Sequence, residues 1–144
     1  MSTLRKSQSI ISLSIISLLL VSSVLLSQPL QAQHGHPLVG TWSGFMERDD
    51  GPQMRVLLMM SFSKEQVITG NLIVNGRPFP LTSASLDHEN WSVNLTGEGR
   101  DRSGFALKYE IEADIGNLDS PTERTLVGTW REDGRSGDFQ VVIN

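Results

Sequence analysis

Residues 38–42 read L-V-G-T-W, and residues 126–130 read L-V-G-T-W again, 88 positions further along a chain of 144. In an extended strand successive side chains point to opposite faces, so Leu38, Gly40 and Trp42 share one face, as do Leu126, Gly128 and Trp130. Immediately after the second copy comes Asp133-Gly134, a two-residue hairpin signal, because both central positions of a type I′ turn need positive φ. Phe139, Val141 and Ile143 then alternate with polar neighbours to the end of the chain. A two-residue turn there pairs Trp130 with Gly137 and Gly128 with Phe139. Large rings face glycines across the ladder, the pattern a narrow interior requires.

The same short alternation recurs every 10–15 residues between turn residues, and no stretch after residue 33 keeps a helical period. Phe105, Leu107, Tyr109 and Ile111 alternate with Lys108, Glu110 and Glu112; Asn75-Gly76 is a second hairpin turn. The spacing predicts eight strands at 38–46, 53–63, 67–74, 77–84, 89–96, 103–114, 122–131 and 136–143. Eight antiparallel strands joined in order leave no open edge when closed into an up-and-down β-barrel; a β-sandwich is the alternative. In that barrel strand 8 lies between strands 7 and 1, and the two L-V-G-T-W copies flank it as equivalent positions at the closure seam. Gly40, Trp42, Gly128, Trp130 and Phe139 are the structural residues of this reading. Trp42, Phe62, Phe79, Trp91, Phe105, Tyr109, Trp130 and Phe139, with Leu58, Met60 and Leu72, are expected inside.

A G-T-W strand that opens an eight-stranded meander resembles the calycin group, the lipocalins and avidins. L-V-G-T-W-S-G followed by I-T-G-N-L-I-V is similar to the first three avidin-like strands. The closing G-T-W-R-E-D-G-R-S-G-D-F-Q-V-V resembles a small bacterial domain that precedes exported hydrolases. The resemblance implies a barrel and export. Ser43-Gly44-Phe45 does not reproduce the polar biotin ligands of avidins, so it implies no ligand residue.

The N-terminus has its own layout. Arg5 and Lys6 precede an uncharged apolar run, Ile10–Leu26, that includes five serines; Pro29 and then Ala32 follow. This is the pattern of a cleavable signal at 1–32, with a flexible segment at 33–37 and a single domain at 38–144. The expected location is periplasmic or secreted, in a bacterium, with no membrane association after cleavage. The chain has no Cys, so the domain relies on its core alone. Of 12 basic and 16 acidic side chains the signal takes two basic ones, leaving ten against sixteen, a net charge of −6. An acidic domain argues against nucleic acid as a partner.

No nucleophile elbow, no cysteine and no acid–base pair is present, so no enzymatic activity and no cofactor are expected. A meander sends alternate loops to opposite ends. Loops 47–52, 75–76, 97–102 and 132–135 gather Arg48, Arg77, Arg100, Arg102, Arg131 and Arg135 at one end. Guanidinium forks at a barrel mouth suit the carboxylate or phosphate of a small amphipathic ligand. From another class, both faces of R-V-L-L-M-M-S-F (55–62) are apolar. Leu57 and Met59 are expected to point outward, with Ile73 opposite Leu57, as an interface for a partner protein or a homodimer. His34 and His36 near a new N-terminus form a candidate site for Cu²⁺ or Ni²⁺. The competing reading of both residues is a frayed tail.

Overall fold

The computed structural model describes residues 35–144; the segment read as a signal, with Gln33 and His34, lies outside them. Eight strands follow in order: β1 (Gly40–Arg48), β2 (Met54–Phe62), β3 (Ile68–Val74), β4 (Arg77–Asp87), β5 (Ser92–Arg100), β6 (Ala106–Gly116), β7 (Thr125–Glu132) and β8 (Arg135–Ile143). Each pairs antiparallel with its sequence neighbours, and β1 closes on β8, giving a barrel without an edge. The sandwich is thereby excluded.

The hairpins form where the turn chemistry predicts. Asn75 and Gly76 have φ of 48° and 81°, and Asp133 and Gly134 have φ of 43° and 77°, each pair linking strands without further loop residues. Trp130 stands opposite Gly137, Gly128 opposite Phe139, and Leu57 opposite Ile73, in the expected register. Period two also sets the core: Trp42, Met46, Leu58, Leu72, Phe79, Leu95, Ile111, Leu126, Trp130 and Phe139 are buried. Each such side chain contributes about 1.5–3 kcal/mol through burial.

The two L-V-G-T-W copies are not equivalent. They run in the same direction on either side of β8, but Trp42 pairs with Ile143 while Trp130 pairs with Gly137, six residues apart along β8. Closing a barrel staggers its strands, and the seam absorbs the stagger. Trp42 therefore lies near one end and Trp130 near the other.

Of the aromatic residues expected inside, Phe105 and Phe62 are exposed, and Trp91 packs against the core only from its edge. Phe105 is 70% exposed, because it belongs to the β5–β6 turn rather than to β6; Asp101 Oδ1 accepts the Phe105 N–H at 2.9 Å and holds it there. Phe62, the last residue of β2, passes the end of the barrel and is 44% exposed. Trp91 sits half-buried in the β4–β5 turn with φ of 55°. Alternation holds only where a strand is paired over the core, and all three lie at strand ends.

At the end opposite the arginines the chain folds over the barrel. Leu38 is fully buried, and the Trp42 indole N–H donates to its carbonyl at 3.0 Å. Arg124 Nη1 donates to the Pro37 carbonyl at 2.6 Å, and Val39 N–H to His36 at 2.9 Å. Leu38 thus stoppers this end, and the N-terminal segment is tied to the β6–β7 loop.

Candidate functional site

The opposite end remains open. A cavity of about 420 Å³ enters the barrel between the β1–β2, β3–β4, β5–β6 and β7–β8 connections. Phe79, Tyr109 and Trp130 line it from within. Phe79 meets Tyr109 edge-on with ring centres 4.8 Å apart, and Tyr109 lies 6.0 Å from Trp130. Trp130 is fixed by its indole N–H, which donates to the Glu47 carbonyl across the seam at 3.0 Å. Met54, Val74 and Leu107 add aliphatic wall.

Strand parity decides which arginines reach this cavity. Arg48 continues the inward series Trp42, Gly44, Met46; Arg77 precedes the inward Phe79; Arg135 precedes Gly137 and Phe139. All three line it, joined by Arg102 from the β5–β6 turn. Arg100 and Arg131, equally close to this end in sequence, have outward parity and do not line it. Arg100 donates to the Gly104 carbonyl at 2.7 Å, and Arg131 lies 3.9 Å from Glu112 on the outer surface. Grouping the arginines by loop alone brings these two in; period two would have left them out.

The same parity places an acid that loop position alone treats as solvated rim. Glu132 extends the inward series Leu126, Gly128, Trp130 and is 4% exposed. Arg135 donates to its carboxylate at 2.7 Å, a charge-assisted bond that offsets the cost of burial. Burial, followed by the charge and hydrogen bonding of Glu132, pushes the Tyr109 phenol up to about 12. Four arginines against Asp101 and Glu132 leave the lining positive on an acidic protein. Arg48 Nε is buried without a hydrogen-bond acceptor in the protein, and its nearest acid, Asp50, is 3.9 Å away and largely exposed. An unpaired buried donor of this kind costs about 1–3 kcal/mol. The site can thus hold an anion at its rim above an aromatic floor.

On the outer surface Leu57 and Ile73 are half-buried and Met59 is 42% exposed. Phe45, Val142 and Val127 also point outward, each more than a third exposed, with Ser43, Arg55 and Gln140 among their cross-strand neighbours. Phe45 and Val142 border a shallow groove of about 360 Å³ between β1 and β8.

At the stoppered end His36 stacks on Phe62, ring centres 4.9 Å apart, and His88 lies 6.3 Å from His36. Burial, and then the neighbouring His88, hold His36 below the ordinary imidazole value. No group of three His, Cys, Asp or Glu side chains converges among the described residues. Comparison with family models, with curated proteins and with solved structures gives no match.

Proposed function

We propose that this chain is an exported, non-enzymatic binding protein, and that its arginine-rimmed mouth takes a small amphipathic anion. The observation that supports this most is the convergence of Arg48, Arg77, Arg102 and Arg135 on one cavity with an aromatic floor. A carboxylate or phosphate sits among the guanidinium groups, and a ring or short apolar chain lies against Met54 and Leu107. A cavity of about 420 Å³ lies at the low end of the range for small-molecule sites, so the ligand is small. The repeated G-T-W strand and the eight-stranded meander favour a place among the calycin-like barrels, where a barrel mouth is the natural binding position.

Trp130 provides the readout. Phenyl phosphate and benzoate should change its fluorescence, and neutral benzyl alcohol should not. Arg48→Gln with Arg77→Gln should weaken phenyl phosphate binding at least tenfold, whereas Arg100→Gln with Arg131→Gln should leave it unchanged. Equal losses in the two pairs would mean that diffuse charge, not this cavity, attracts the anion. No response to either anion would sink the reading.

A second reading is favoured by the outward placement of Met59 beside the half-buried pair Leu57 and Ile73. It assigns that face to a partner protein or a second copy. Leu57→Asp with Ile73→Lys should then shift the sedimentation coefficient from dimer to monomer with far-ultraviolet dichroism unchanged. A wild-type monomer at micromolar concentration would remove the homodimer.

A further inference from the structure

The chain contains three histidines. Two of them, His36 before β1 and His88 in the β4–β5 turn, are 52 positions apart in sequence, yet their rings lie side by side at the stoppered end, away from the arginine mouth. Their ring centres are 6.3 Å apart and nearly perpendicular, at 73°. Each also meets an aromatic ring: Phe62 stacks on His36 at 4.9 Å, and Trp91 meets His88 edge-on at 5.6 Å. The backbone places both. The turn at 36–39 is closed by Val39 N–H donating to His36 and anchored by Arg124 on Pro37; Asp87 caps the β4–β5 turn by accepting Glu89 N–H and the Asn90 amide, each at 2.9 Å.

We propose that His36 and His88 are two ligands of a divalent transition-metal site that takes Cu²⁺ or Zn²⁺. Imidazole nitrogen is a donor suited to both ions. With metal–nitrogen distances of about 2.0–2.1 Å, two imidazoles on one ion have ring centres roughly 5–6 Å apart, so a small side-chain rotation suffices. His88 is exposed and free to make it. Leu38 N–H reaches His36 Nδ1 at 3.3 Å, a long contact that metal binding would have to replace. Asp87 is already engaged in its turn, so the carboxylate is not the third donor. Binding through His36 and His88 would fasten the N-terminal segment to the β4–β5 turn over the Leu38 stopper.

The test uses the protein as purified from its host, titrated with Cu²⁺ and with Zn²⁺ and followed by native mass spectrometry and thermal melting. One equivalent of at least one ion should bind and raise the melting midpoint by several degrees. His88→Phe keeps an aromatic ring beside Trp91 and removes the ligand. It should fold as the wild type does, weaken metal binding at least tenfold and abolish the thermal shift. Wild-type metal affinity in His88→Phe with loss in His36→Phe would assign any bound ion to the N-terminal segment alone and overturn the two-histidine site. Absence of a bound equivalent in the wild type would reduce the cluster to aromatic packing and overturn it equally.

Discussion

The same five residues make two different ends. In the first L-V-G-T-W, Leu38 is a stopper, Trp42 donates back to its own segment, and Gly40 adopts φ of 141° with only the Ile143 methyl end nearby. In the second, Leu126 is an ordinary core residue, Trp130 donates across the seam to Glu47, and Gly128 is pressed against the β6 backbone. A pentapeptide therefore carries a face pattern and not a role. Its role comes from where the barrel stagger sets it: one copy meets a chain terminus and seals, the other meets a hairpin and floors a cavity.

The largest expected effect separates the two glycines. A Cβ on Gly128 would run into the Glu112 carbonyl oxygen and lie 2.5 Å from Ala113 Cα, so the obstacle is backbone and not the facing Phe139. Gly128→Val should prevent folding or cost more than about 3 kcal/mol, beyond ordinary overpacking. A Cβ on Gly40 meets Ile143 Cδ1 at 3.0 Å, and that methyl can move. Gly40→Ala should cost about 1–3 kcal/mol, from the unfavourable φ alone. Chemical denaturation of both variants checks the order, and equal losses would mean that the seam treats the copies alike.

A smaller effect tests the open end. Arg135→Ala leaves the buried Glu132 carboxylate without its 2.7 Å partner and should destabilise by about 1–3 kcal/mol. Adding Glu132→Gln to that variant should restore most of the loss, since the stranded charge is gone. If the double variant is no more stable than the single one, Glu132 is solvated and the mouth is open down to its carboxylate.

The smallest effect is silent at neutral pH. The Tyr109 phenol titrates near 12 in the folded barrel against 10 when exposed. Below 10 both states keep the proton and the folded-state preference is fully present. Between 10 and 12 the unfolded chain releases its proton while the barrel retains it, so stability falls as pH rises through that window. Tyr109→Phe should flatten this decline in melting curves taken across the alkaline range. No comparable step is expected from the stoppered end, where no tyrosine sits.

Much of this was legible in the residues. Alternation, the Asn75-Gly76 and Asp133-Gly134 turns and the glycines facing Trp130 and Phe139 determined the strands, their register and a closed meander, because these are local properties of φ and of a two-residue period. Period two also carried the inward direction of Arg48, Arg77, Glu132 and Arg135, although loop membership alone blurred it by including Arg100 and Arg131. Other features needed the tertiary structure. Trp91 and Phe105 lie outside the strands and Phe62 is the last paired residue of β2, so alternation does not secure a place in the core for any of them. The six-residue offset between the L-V-G-T-W copies follows from closing the cylinder, a global condition that no single strand encodes. The meeting of His36 with His88, and the 420 Å³ left open above Trp130, are likewise set by how the ends are covered: distance in space depends on every intervening pairing.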